Sequence, residues 1–295
     1  MKKFLFLFGI CVLKLSVPAQ AADAAWTPLF NGKNLEGWET YLSKPQPAWD
    51  VPGLKRDEKG AYLEPLGVGR DPFHVFAVAQ VDGLPALRIS GQGFGTLMTK
   101  ESFGNYHFRM QFKWGEKKWE PRLQAKRDSG LLYHVHSAPG AMWGDWPKSV
   151  EMQIQESDCG DMYAISTQMT VPVRPLPSGS TEARVYDPKG EPVMFELKPS
   201  GHETNRAVKL KDCEKPHGEW NTIDLICLGD DSIHVVNGTV VMRLHKARRL
   251  DGAQPAPLTK GAISLQTEGA EVFYRGMEIR PISKIPAEFA EKSAP

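Results

Sequence analysis

Residues 128–163 read DSGLLYHVHSAPGAMWGDWPKSVEMQIQESDCGDMY, and the two strand patterns inside this stretch decide the fold class. In the second pattern, polar Glu151, Gln153 and Gln155 alternate with apolar Met152 and Ile154. That period of two predicts a strand with one face in a core and the other turned to something polar. In the first pattern Leu132, His134 and His136 share a face opposite Leu131, Tyr133 and Val135, again the parity of a strand. A loop containing glycine and proline joins the two and carries Trp143 and Trp146. The polar face around Glu151 is the candidate site.

Outward from this stretch the same alternation recurs. Tyr106, Phe108, Met110, Phe112 and Trp114 alternate with His107, Arg109, Gln111 and Lys113, which predicts a central strand with one polar face. Strand patterns also cover 73–79, 85–90, 220–228, 232–244, 261–266 and 270–281. Within the fourth of these segments, Asn237-Gly238 supplies the positive φ angles of a two-residue hairpin turn. The charged run 116–127 reads as a solvated loop, 45–69 as an irregular connection, and 170–218 as an insertion of loops and short strands. Short strands separated by turn residues, with no long helix, indicate an all-β sandwich of two antiparallel sheets.

The chain opens with Lys2 and Lys3, an apolar run over 4–13 and then Ala19-Gln20-Ala21, the order of a secretory signal peptide over residues 1–21. The apolar run is about half of the roughly 20 residues a membrane-spanning helix needs. Residues 22–295 are then expected to form a single domain in the periplasm or outside a bacterial cell, with no later run long enough to span a membrane. Basic and acidic residues number 36 and 35. A chain this close to neutral gives no reason to expect a nucleic-acid partner. The three cysteines beyond the leader, Cys159, Cys213 and Cys227, predict one disulfide and one buried thiol, with the pairing open.

Five motifs in order, FNGKNLEGW, DSGLLYH, SVEMQIQESDCGDMY, GEWNTIDLICLGDDSIHVVNGTVV and GAISLQTEGAEVFYRGMEIRPI, resemble the successive hallmarks of the 3-keto-disaccharide hydrolase family. The resemblance runs from about Trp26 to Ile282. It implies a concanavalin A-like jelly roll with a concave sugar-binding sheet, and export from a bacterial cell.

A 3-keto sugar invites a particular chemistry. The ketone acidifies the C2 proton, so a base can remove it, expel the C1 substituent and leave an unsaturated sugar that then takes up water. Glu151 is the expected base and His134 the alternative, because carboxylate and neutral imidazole suit proton transfer near pH 7. Lys113, Arg109 and Gln153 are candidates to stabilise the enolate. His134, His136 and Glu151 could make a two-His, one-carboxylate site for a divalent metal. No cofactor follows from the sequence otherwise. Gln155, Glu156 and Gln266 are expected to meet the saccharide, and Trp143 and Trp146 either stack on it or pack over the sheet end.

Two rival readings accompany this one. Glu151, Gln153 and Glu156 are spaced like the Glu-x-Asp-x-x-Glu of retaining endoglycosidases on the same fold, which would need a bulge to align the two glutamates. A lectin-like carbohydrate-binding module is the other, since fold does not imply function. The keto substrate would be supplied by a sugar 3-oxidoreductase.

Overall fold

The structure, a computed structural model, describes residues 24–177, 182–197 and 205–291; the leader expected at 1–21 lies outside them. Among the described residues the chain forms two antiparallel sheets, of eleven and eight strands, and its helical content is one 3-10 turn at Ala287–Phe289. This is the all-β sandwich that the alternation predicts. In the larger sheet Tyr106–Lys118 lies between Asn221–Leu228 and Ala270–Pro281. In the smaller sheet Met162–Ile165, Ser149–Gln155, Asp128–Val135, Ala262–Glu268, Phe94–Thr99 and Trp38–Leu42 follow one another.

The core fills the space between the sheets. Phe108, Met110 and Phe112 of the larger sheet meet Leu131, Met152, Ile154 and Leu265 of the smaller one, all essentially without solvent contact. Each such side chain contributes about 1.5–3 kcal/mol by leaving water. Two buried hydrogen bonds cross between the layers, Ser129 Oγ with Tyr274 OH at 2.7 Å and Tyr133 OH with Ser232 Oγ at 2.8 Å. They satisfy hydroxyls that would otherwise be costly inside the sandwich.

Local sequence chemistry accounts for the turns. Val236 pairs with Thr239, and Asn237 and Gly238 between them take φ of 48° and 76°, the turn Asn-Gly favours. The segment 170–218 is partly built into the sheets. Thr167–Val173 pairs with Glu191–Glu196 and with Thr239–Arg249, while Arg206–Ala207 forms an edge of the smaller sheet.

Three expectations need correction. His134 and His136 do not continue the outer face begun by Leu132. On one side the Asp128–Val135 strand pairs in regular register, Asp128 with Gln155 through Tyr133 with Val150. On its other side the register jumps: Ala262 faces Val135 but Ser264 faces Leu132, so one residue opposes two. This bulge, with His134 at φ 51°, shifts the parity by one. Leu132 and Val135 consequently sit in the same outer cluster, and His134 turns inward. The expected disulfide is also absent: Cys159, Cys213 and Cys227 are all free thiols, the first and last fully buried and acting as small apolar core residues. Lastly, the run 116–127 is not a detached solvated loop. Arg122 folds back from it onto the smaller sheet.

Candidate active site

The outer face of the smaller sheet carries the polar half of the alternation. Glu151, Gln153 and Gln155 face Leu132, Gly130 and Asp128 across one ladder. Across the next strands Gln266 faces Thr96, and Thr96 faces Tyr41. Gly130 is the gap in this array. A Cβ there would collide with Glu151 Oε1 and Gln266 Oε1, so the carboxyl and the amide lean toward each other over bare backbone. Glycine is needed here for space, not for an unusual φ.

Three carboxyls share the face. Glu151 is 5% exposed, and burial, reinforced by the charges of Glu268 and Asp128, holds its carboxyl well above the usual range. Burial and then Asp128 push Glu268 up to about 8, against the pull of Arg122. Burial likewise raises Asp128 to about 6, opposed first by Arg122 and then by a hydrogen bond from Gln155. Arg122 spans two of them, with Nη2 on Asp128 Oδ2 and Nη1 3.4 Å from Glu268 Oε1. Desolvated like-charged carboxyls cannot all ionise, so near neutral pH the group retains protons.

Several buried polar atoms of this face have no protein partner: Asp128 Oδ1, Gln266 Oε1, Thr96 Oγ1 and Ser264 Oγ. An unsatisfied buried polar atom costs about 1–3 kcal/mol. Acceptors clustered in this way suit the hydroxyl donors of a sugar.

A cleft of about 570 Å³ opens beside Glu268. Its floor includes Phe94, the register partner of Glu268, and Tyr41. The loop between the two strands of the opening stretch forms a strap over the sheet. Tyr41 OH donates to Gly144 O at 2.8 Å, Met142 N to Trp146 O at 2.8 Å, and Met142 packs on Leu132 and Val135. The two tryptophans of the strap divide the roles considered for them. Trp146 is buried against Phe94 at 6.0 Å, whereas Trp143 stands 62% exposed at the cleft wall.

The structure gathers Glu151, Gln153, Gln155, Gln266 and Trp143 about this face and removes the other candidates. Gln153 spends its Oε1 on Ile154 N at 2.9 Å. Lys113 and Arg109 lie on the outer face of the opposite sheet, Lys113 3.1 Å from Asp82 Oδ2 and Arg109 2.5 Å from Glu278 Oε1 and stacked on Trp26. Glu156 ends the regular strand without the aligning bulge, and Arg127 takes both its oxygens, from N and Nη1 at 2.9 Å. His134 packs edge-on against core Tyr133 and Tyr106 at 5.3 and 6.2 Å, and burial lowers its imidazole to about 4. His136 engages His134 O through Nδ1 at 3.1 Å. The proposed metal triad with Glu151 therefore does not assemble. Among the described residues no group of three or more His, Cys, Asp or Glu is placed to hold a metal ion.

A family model described as the 3-keto-alpha-glucoside-1,2-lyase-like domain matches residues 25–280. The chain belongs to that family. Among solved structures, this 3-keto-alpha-glucoside-1,2-lyase-like domain is similar to a protein of Parabacteroides distasonis solved as a candidate glycosyl hydrolase, with 18% identity over 88% of this chain and 94% of that one and a TM-score of 0.46. A carbohydrate-binding module of Bacillus subtilis matches at 8% identity over 70% and 91% of the two chains, TM-score 0.40. A Bacillus licheniformis β-glucanase matches at 10% over 89% and 100%, TM-score 0.36. No curated protein matches the chain.

Asp128 and Arg122 of this face are not singled out by the sequence, whereas Glu268 is readable there with Gln266 as either a cleft-lining residue or part of a structural turn. Asp128 opens the DSGLLYH motif and Glu268 is the penultimate residue of LQTEG, so both lie within recognisable motifs. Arg122 had no such signal, because nothing local distinguishes it from its charged neighbours.

Proposed function

We propose that the protein is an exported bacterial enzyme that cleaves the glycosidic bond of 3-keto-glycosides by elimination. The carrying observation is the pairing of Glu151 and Gln266 over Gly130, where a desolvated carboxyl of raised basicity faces an otherwise unpartnered amide oxygen. In this reading the ionised fraction of Glu151, small because burial raises its carboxyl well above the usual range, takes the C2 proton, the electron pair forms the C1–C2 double bond, and the C1–O bond breaks. Glu268, which retains its proton at neutral pH because burial raises it to about 8, delivers that proton to the departing oxygen. Two carboxyls with distinct surroundings thus take the base and acid roles. The Gln266 amide N–H and the Arg122 guanidinium are the donors on this face suited to enolate charge. Water then adds across the double bond and regenerates a free 3-keto sugar.

The rival readings have less support. The Glu151/Glu156 pair expected of a retaining glycosidase, two carboxyls about 5–5.5 Å apart on one face, does not form, because Arg127 holds Glu156. A lectin has no use for the proton chemistry of a buried Glu151 whose carboxyl is raised well above the usual range. Export rests on the Lys2–Ala21 leader pattern. The substrate's ketone implies a partner oxidoreductase acting at C3 of intact glycosides.

Turnover of a 3-keto-glucoside and of its unoxidised parent by wild type and Glu151→Gln tests the reading. Cleavage of the keto sugar alone is expected, with a loss of about 10²–10⁴-fold in the variant, the usual range for a general base. Cleavage of the unoxidised parent at a comparable rate would defeat it.

A further inference from the structure

The cleft beside Glu268 differs in chemistry from the carboxyl-bearing face next to it. Tyr41, Phe94 and Trp143 present aromatic surface, and Pro45, Pro47 and Pro121 present rings without an N–H donor. Its polar groups are largely spent within the protein. Tyr41 OH donates to Gly144 O at 2.8 Å, Ser43 Oγ to Phe94 O at 3.0 Å, and Gln46 Nε2 to Glu120 O. Over the sheet the situation is reversed, with Asp128 Oδ1, Gln266 Oε1 and Thr96 Oγ1 buried and unpartnered. A sugar ring brings several hydroxyls, each of which loses water on entry and needs a replacement partner. The sheet face offers such partners, whereas the cleft, apart from Lys44 and Asp145 at its wall, presents mainly apolar rings.

We infer that the cleft is a leaving-group subsite for an aromatic aglycone, so that the preferred substrates are aryl glycosides instead of disaccharides. The assignment rests on the proposed site for the position of the sugar, which occupies the carboxyl face and directs its C1 substituent past Glu268 and Phe94. An aryl ring then lies against Trp143 and Phe94 in the offset or edge-on contacts that aromatic pairs prefer. Lys44 and Asp145, of opposite charge, both line the cleft, so its selectivity lies in the aromatic and proline surface and not in charge.

Calorimetric titration of the full protein with phenyl glucoside, methyl glucoside and cellobiose, using both anomers of the first two, tests this without requiring turnover. Phenyl glucoside should bind about tenfold more tightly than methyl glucoside, as burial of a ring's apolar surface provides. Because Trp143 is exposed and supports no core, Trp143→Ala should fold, and in it the phenyl-to-methyl ratio should fall toward one. Tighter binding of cellobiose than of phenyl glucoside, or an unchanged ratio in Trp143→Ala, would overturn the assignment. If the ratio behaves as expected but 3-keto phenyl glucoside is not cleaved, the subsite stands and the elimination reading fails.

Discussion

Gly130 makes room for Glu151 and Gln266, and its importance lies in the side chain it lacks. A methyl group there would displace both oxygens, and small misplacements of reacting groups are costly. Gly130→Ala is therefore expected to lower kcat/KM on a 3-keto-glucoside by about 10²-fold, close to 3 kcal/mol, with the circular dichroism of the folded chain retained. Unchanged kinetics would mean that Glu151 acts from elsewhere or not at all. At Glu268 the reading concerns a proton. With a carboxyl raised to about 8, the rate should decline as pH passes that value and the acid is lost. Glu268→Gln should abolish this alkaline limb and slow alkyl leaving groups far more than nitrophenolate, which needs no proton. Equal slowing of both would argue against an acid role. Because the carboxyls interact, the observed limbs belong to the group as a whole.

At the scale of elements, the bulge in Asp128–Val135 separates this protein from the simplest reading of its sequence. The extra residue turns the His134 ring into the core, away from Glu151. His134→Asn, a residue that tolerates positive φ, should keep kcat/KM within about threefold, under ~1 kcal/mol. A loss of two orders of magnitude would place the imidazole on the catalytic face after all. The strap shows the same dependence on pairing. Its two tryptophans are three residues apart in one loop, and the hydrogen bonds to Tyr41 and between Met142 and Trp146 determine which is buried.

For the whole molecule, the buried carboxyls set a pH dependence of stability. Glu268 is raised from 4.5 to about 8 and Glu151 well above 4.5, so between those values the native state holds protons that the unfolded chain has released. Stability is then fully present at low pH and lost as pH rises through the folded values. Below 6.5 the buried His134 and His234, both lowered to about 4, act in the opposite direction, since the unfolded chain binds the protons there. The unopposed window is pH 6.5 to 8. Across it Tm should fall in the wild type, and the fall should be smaller in Glu268→Gln. A Tm that rises with pH over this range would contradict the burial of these carboxyls.

Fold class and most of the polar face were legible along the chain because alternation is a local property. Glu151, Gln153 and Gln155 are on one side of their strand whatever it pairs with, and Asn237-Gly238 turns whatever surrounds it. Lys113 and Arg109 show the limit of that reasoning: their strand alternates just as clearly, but its polar side belongs to the other sheet. Parity says that two faces differ, and only long-range pairing says which one meets Asp128, Glu268 and the cleft. His134 and Arg122 depend on that pairing still more strongly. The bulge arises from register between strands more than a hundred residues apart in sequence, and the Arg122 guanidinium, six residues from Asp128, meets Glu268 only because the fold brings that distant strand alongside.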